Sequence, residues 1–176
     1  MMSAGCALRR MFSALAVTGL LLTGMPQPSE ALQCSGLTIF GGPGRDNELK
    51  YCLDNGRENR RDTYWLKIPK DKVDVAILEL KIEYPENYRG EFDEEQIEVK
   101  VNDETIAVQE VFWDRENRFI SIYPVEPIAA DNEIEIVLDD VENPRRGGMF
   151  YFNCKVVTRG GPPLPLYLGT WVLNID

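Results

Sequence analysis

Hydrophobic and polar residues alternate along much of the chain. In residues 75–84 (VAILELKIEY), one face carries Leu78, Leu80, Ile82 and Tyr84, while the other face carries charged residues. Residues 96–101 (QIEVKV) and 132–138 (NEIEIVL) repeat this arrangement. A period of two predicts strands with one buried and one solvated face, which is typical of antiparallel sheets.

Short turn signals separate these stretches. Residues 114–117 (DREN) have the composition of a hairpin loop, and Pro69 ends a strand-like segment at 63–69. Residues 126–132 (EPIAADN) could form one helical turn at most. The proline-rich run at 160–167 is expected to cross between sheets. We predict an all-β fold, an antiparallel, immunoglobulin-like β-sandwich of eight or nine strands, with a closed soluble barrel as the second possibility.

Residues 1–31 differ in composition from the rest of the chain. Two arginines precede an uncharged apolar stretch, residues 11–25. This stretch is short for a membrane span, which needs about 20 apolar residues. Small residues follow where a signal peptidase requires them. We predict a cleavable signal peptide cut after Ala31, by the general or the twin-arginine route, and a single domain at 32–176.

Composition excludes several kinds of chemistry. The chain has 19 Lys and Arg against 29 Asp and Glu, and a net charge of −10, which disfavours binding to nucleic acid and to anionic membranes. It has no histidine, so histidine-dependent nucleophiles and histidine-ligated metals are excluded. No cofactor or metal is predicted. Carboxylate pairs could still serve a glycan hydrolase. The candidates are Glu91, Asp93, Glu94, Glu95, Asp139 and Asp140.

Three cysteines follow the predicted cleavage site. Cys154 shares strand parity with Phe150, Phe152 and Val156, so it is expected to be a buried core thiol. Cys34 and Cys52 are then the candidate disulfide pair, which an oxidising compartment would permit. Spacing alone leaves the connectivity open.

Residues 141–157 (VENPRRGGMFYFNCKVV) join two strand-like stretches through a turn. Asparagine before proline favours an extended residue that enters a turn, and two glycines supply positive φ or room for a bulge. The residues with these structural roles are Asn143, Pro144, Gly147 and Gly148. Arg145 and Arg146 have no such role, so they either pair with carboxylates of this chain, remain solvated or contact a partner.

Two other features could bind a ligand. The acidic residues 91–95 (EFDEE) could hold calcium through oxygen, although they lack the ligand spacing of an EF-hand. Trp65, Trp113 and Tyr88 are either partly buried or exposed to a partner or a polysaccharide.

Three segments carry a resemblance to a known family. VENPRRGGMFYF resembles the Asn-Pro-Arg-x-Gly-Gly-x-Tyr/Phe-x-Phe signature of the domain-of-unknown-function 2808 family, small secreted proteins found mainly in cyanobacteria. TYWLKIP (63–69) resembles an aromatic strand of that family, and PLYLGTWVLNID (165–176) resembles its terminal strand. The resemblance implies an exported, sandwich-like domain of the periplasm, thylakoid lumen or cell surface, and it assigns no catalytic residue.

These observations favour a non-enzymatic interaction or structural module of the cell envelope or lumen. Its expected partner is another envelope or lumenal protein, without nucleic acid and without an integral membrane segment in the mature chain. The alternative is a module that binds calcium or polysaccharide. A carboxylate-dependent glycan hydrolase is the remote alternative.

Overall fold

The computed structural model describes residues 33–34, 44–161 and 164–176. The predicted signal peptide and its cleavage site after Ala31 lie outside these residues. Twelve strands are found within the described ranges. They are β1 (Gln33–Cys34), β2 (Glu48–Leu49), β3 (Tyr51–Leu53), β4 (Arg61–Ile68), β5 (Ile77–Glu83), β6 (Ile97–Val101), β7 (Glu104–Ile106), β8 (Val108–Asp114), β9 (Phe119–Pro124), β10 (Ile134–Glu142), β11 (Gly148–Thr158) and β12 (Leu166–Ile175).

The strands form two sheets of six. The first has the order β1-β3-β4-β10-β6-β7, and the second has the order β2-β12-β11-β5-β9-β8. The pairs are antiparallel except that of β12 with the short β2. The predicted all-β, immunoglobulin-like sandwich is therefore confirmed. In the described part, eight strands have five or more residues, and the four shorter ones bring the total above the predicted eight or nine.

Helical structure is limited to three short 3-10 turns in the described ranges, at Arg45–Asn47, Lys70–Lys72 and Glu94–Gln96. The stretch predicted to be helix-compatible, residues 126–132, contains a bridge to β5 and turns instead. Within the same ranges, no helix has the length and apolar character that a membrane crossing requires.

The core lies between the sheets and follows the predicted alternation closely. Most inward residues of β6 and β10 are buried, and Val99 and Ile136 are fully so, while Val101 at the end of β6 is partly buried. Leu78 is the exception, because it is 38% exposed while Ile77 is buried. The register between β5 and β11 shifts at this point, so Leu78 is an extra residue and turns outward. Its predicted inward position was wrong.

The loops collect at two ends of the sandwich. One end carries residues 54–60, 84–93, 115–118 and 143–147, the last of which takes the chain from the first sheet to the second. The opposite end carries the β11–β12 connection and the loops before β5, β7 and β10. Because β11 and β12 are neighbours in one sheet, the predicted crossing at 160–167 was wrong.

Candidate functional site

Asn143 begins the turn between β10 and β11 and is buried. Its side-chain oxygen accepts a hydrogen bond from the Tyr64 hydroxyl. Its side-chain nitrogen donates to the carbonyl of Arg57 and to a carboxylate oxygen of Asp62, each at 2.8 Å. Its backbone N–H donates to the carbonyl of Arg60 at 2.8 Å. The turn is therefore attached to β4 and to the loop before it.

Asp62 is the acceptor at the centre of this network and is 4% exposed. One oxygen accepts from the backbone N–H groups of Asn55 (3.0 Å) and Thr63 (2.9 Å). The other accepts from the N–H of Gly56 at 2.7 Å and from Asn143. Four donors on two oxygens satisfy a buried carboxylate, and they wrap the 54–60 loop around it.

Two tyrosines extend the network into the core. The hydroxyl oxygens of Tyr64 and Tyr88 are 3.1 Å apart. The ring of Tyr88 stacks on Phe92 and meets Phe150 and Phe152 edge-on, at centroid distances of 4.9 to 5.5 Å. Burial is the main cause that raises the pKa of both tyrosines above the ordinary value, so both hydroxyls stay protonated.

The remaining turn residues are also fixed. Pro144 is buried, and its carbonyl accepts from the N–H of Asn59 at 2.9 Å. The N–H of Gly147 donates to the carboxylate of Glu58 at 2.7 Å. A Cβ atom at Gly147 would lie 2.4 Å from the carbonyl oxygen of Ile175, which explains the requirement for glycine there.

Arg145 and Arg146 project from this fixed turn into solvent. Within the described residues, neither guanidinium forms an ion pair with a carboxylate. Together with the exposed Arg89, they line a groove of about 660 Å³, which Phe150 and one carboxylate, that of Glu91, also line. The site therefore presents three cations on a protein whose overall charge is negative.

The family follows from a direct comparison of the sequence. A family model described as "Protein of unknown function (DUF2808)" matches residues 37–175. The chain belongs to the DUF2808 family. No curated protein sequence matches it.

Several solved structures resemble this DUF2808 chain at low identity. The crystal structure of BslA, a bacterial hydrophobin, matches with a TM-score of 0.48 at 9% identity, over 73% of this chain and 97% of that chain. The collagen adhesin of S. aureus matches with a TM-score of 0.40 at 12% identity, over 74% of this chain and 48% of that chain. A Nocardia farcinica protein with an immunoglobulin-like fold gives 0.39 at 10% identity, over 73% and 97%. These scores are too low to carry a partner or an activity over to this chain.

Five of the six carboxylates considered for hydrolysis or calcium binding are bound to other groups of the DUF2808 domain. Asp140 pairs with Arg61, which also pairs with the nearby Glu142, and Glu91 pairs with Arg115 at 3.8 Å. Two arginines therefore lie among the carboxylates where a cation would have to bind.

Three other candidate carboxylates bond to neighbouring polar groups. Glu94 accepts from the backbone N–H of Trp113 at 2.6 Å, and Asp93 accepts from that of Glu95 at 3.0 Å. Asp139 accepts from the Thr63 hydroxyl at 2.5 Å. Across the described part of the chain, no three His, Cys, Asp or Glu side chains are arranged to hold a metal.

Two of the aromatic candidates, Tyr88 and Trp113, lie in the core or pack against it. Tyr88 is buried, while Trp65 and Trp113 are half-buried. The indole N–H of Trp113 donates to the hydroxyl of Tyr84 at 2.7 Å, and the guanidinium of Arg115 lies 3.9 Å from the indole centroid.

Of the three cysteines in the described residues, two form a disulfide and one lies in the core. Cys34 and Cys52, on the paired strands β1 and β3, form a disulfide. Cys154 is a free thiol and is fully buried. Burial raises its pKa, which keeps the thiol protonated and unreactive.

Sequence reasoning missed Asp62 and Tyr64, which support the turn, and it considered Tyr88 only as an aromatic that is either partly buried or exposed to a partner. One signal was available in β4. Asp62 has the strand parity of Tyr64, Leu66 and Ile68, and this is the buried face. An aspartate on the inward face of a strand indicates a buried acceptor with dedicated donors.

Proposed function

We propose that this DUF2808 protein is a non-enzymatic interaction or structural module of the cell envelope or lumen. Arg145 and Arg146 are its contact residues. The observation that carries the proposal is that both guanidiniums are exposed and without an ion pair in the described part, on a turn whose neighbouring residues are all fixed. Arginine presents a planar fork that matches a carboxylate, so the partner is a protein with exposed acidic residues.

The hydrogen-bond network holds the turn in one conformation, so the turn is better suited to binding a partner than a flexible loop would be. Binding is weakened by the entropy lost when a loop becomes ordered. Here the turn is already held by Asn143, Pro144 and Gly147, so only the two arginine side chains have to be ordered. Arginine is among the residues that most often dominate the binding energy of an interface.

The proposed compartment is the periplasm, the thylakoid lumen or the cell surface. The apolar segment at 11–25 supports export, with removal of the signal peptide after Ala31. The bond between Cys34 and Cys52 agrees with an oxidising environment.

The test is cross-linking inside the cell. A tagged chain would be cross-linked mildly, and the captured proteins would be identified by mass spectrometry. The variant Arg145→Glu with Arg146→Glu reverses the charge of the proposed contact. Lys50→Glu with Lys70→Glu is the matched control, because both lysines are exposed and lie outside the turn.

The expected result is one recurrent partner with links to residues 143–148. The wild type and the lysine control should capture this partner, and the arginine variant should not. Capture of the same partner by all three proteins would show that Arg145 and Arg146 are not contact residues. Diffuse links to abundant neighbours in every case would overturn the proposal of an interaction module.

A further inference from the structure

Two loops at the end of the sandwich opposite the arginines are bound to each other. The backbone N–H of Asn102 donates to the carbonyl of Glu133 at 3.0 Å, and its side-chain nitrogen donates to Asn132 at 2.6 Å. The N–H of Val125 donates to the carbonyl of Ala107 at 3.0 Å. These contacts fix residues 102–107 and 125–133 as one surface, which we call the acidic end.

The acidic end combines negative charge with an apolar groove. Its two loops contain no lysine or arginine, and five of its carboxylates are exposed. They are Asp103, Glu104, Glu126, Asp131 and Glu133. Between the loops lies a groove of about 430 Å³, lined by apolar residues that include Ile106, Val125 and Pro127. Val125 is 57% exposed, so apolar surface is left open to solvent.

The turn at the opposite end carries positive charge, and an exposed apolar residue follows it. Arg145 and Arg146 are exposed, and Met149, a flexible apolar side chain three residues further on, is 46% exposed. Two cations on the turn and one exposed apolar side chain at the start of β11 match the carboxylates and the apolar groove of the acidic end. The two surfaces are therefore complementary in both charge and polarity. Such complementarity fixes the orientation of two proteins in a contact.

We propose that copies of this protein associate head to tail, with Arg145, Arg146 and Met149 of one copy on the acidic end of the next. This inference rests on the proposed function, because it names the acidic protein that the arginines contact. The two surfaces lie at opposite ends of the sandwich, so each contact leaves one surface of either kind free. Such a heterologous contact extends into a chain of copies and does not close into a symmetric dimer.

The experiment measures association by sedimentation velocity, with the protein purified after export and concentrated to about 1 mM, where weak contacts become populated. The first variant, Arg145→Gln with Arg146→Gln, removes the basic surface without making it acidic, so it cannot pair with the lysines of the second variant. The second, Glu126→Lys with Glu133→Lys, removes the acidic one and leaves the backbone bonds of Glu133 intact. Glu98→Lys with Glu110→Lys is the control for the second variant, because it changes the net charge equally on exposed strand residues outside both surfaces.

The wild type and the control are expected to form species that grow with concentration. Each of the first two variants is expected to raise the Kd at least about tenfold. The decisive sample is a mixture of the two variants, which retains one intact surface of each kind. It is expected to give a 1:1 complex that grows no further.

A wild type that stays monomeric at every concentration would overturn the inference, and so would a mixture that forms no complex. Variants that associate as the wild type does would also overturn it. Circular dichroism verifies the fold of each variant, and Met149→Ser, a milder change at an exposed position, should weaken association in the same assay. A monomeric wild type whose arginines still cross-link to another protein in the cell would reject only this inference and leave the proposed function standing.

Discussion

The side-chain nitrogen of Asn143 lies 2.8 Å from a carboxylate oxygen of Asp62, although the two residues are 81 positions apart in the sequence. Both are at most 5% exposed. The bond joins the first strand residues of β4 to the turn that carries the chain into the second sheet. The exposed arginines are therefore held by a buried contact of the core and not by the surface loop alone.

Asp62→Asn is expected to lower the free energy of unfolding by about 2–4 kcal/mol. Each oxygen of Asp62 accepts from two N–H groups, so the amide nitrogen that replaces either oxygen must face two donors. Urea unfolding followed by circular dichroism measures the change. Asp74→Asn is the matched control, because this carboxylate is exposed, and it should change stability little. Equal effects of the two substitutions would show that the network does not stabilise the fold.

Gly147→Ala is expected to cost about 1–3 kcal/mol, the usual range for overpacking. Its Cβ would lie 2.4 Å from the backbone oxygen of Ile175, and strand β12 has no flexible side chain at this contact to move aside. Gly44→Ala is the control, since a Cβ there meets nothing within 4 Å. Thermal unfolding of both variants measures the difference. A Gly147→Ala protein as stable as Gly44→Ala would contradict the close approach.

The strands could be predicted from the sequence because the burial pattern has the strand period. Val99 and Ile136 follow this alternation, and in β10 it holds on the inward face from Ile134 to Leu138, where a bulge interrupts it. Leu78 could not be placed correctly, since the extra residue in β5 depends on its register with β11. That register is a property of paired strands, and neither strand's own sequence displays it.

The candidate site could be predicted only in part, for a similar reason. The turn residues Asn143, Pro144 and Gly147 have local signatures, so the turn was expected. The side chain of Asn143 is held by Asp62 and Tyr64, which are about 80 positions earlier. Contacts between residues so far apart in the sequence arise because β4 and β10 are neighbours in the first sheet. A single sequence does not show which of its strands pair.

The free energy of unfolding is expected to fall as the pH rises above 10. Burial raises the pKa of Tyr64 and Tyr88 above 10.0 in the folded state, whereas the unfolded chain deprotonates near that value. Above pH 10 the folded state therefore binds more protons than the unfolded chain does. The stability of the fold is complete below pH 10 and falls as the pH rises further. Absorbance titration of tyrosinate, recorded with circular dichroism, should show part of the signal appearing only when the fold is lost. Complete ionisation of all tyrosines in a native spectrum would contradict this burial.

Reduction of the bond between Cys34 and Cys52 is expected to lower the free energy of unfolding by about 3 kcal/mol in the chain-entropy model. The bond closes a loop between residues 18 positions apart and holds β1 against β3, so its loss frees the unfolded chain and the edge of the first sheet. Urea unfolding with and without a reductant measures the effect. Cys52→Ser is the control, because it should show the lower stability in both conditions and no response to the reductant. A wild type that is equally stable with and without reductant would mean that the bond contributes nothing to stability, and the first sheet would then depend on its packing alone.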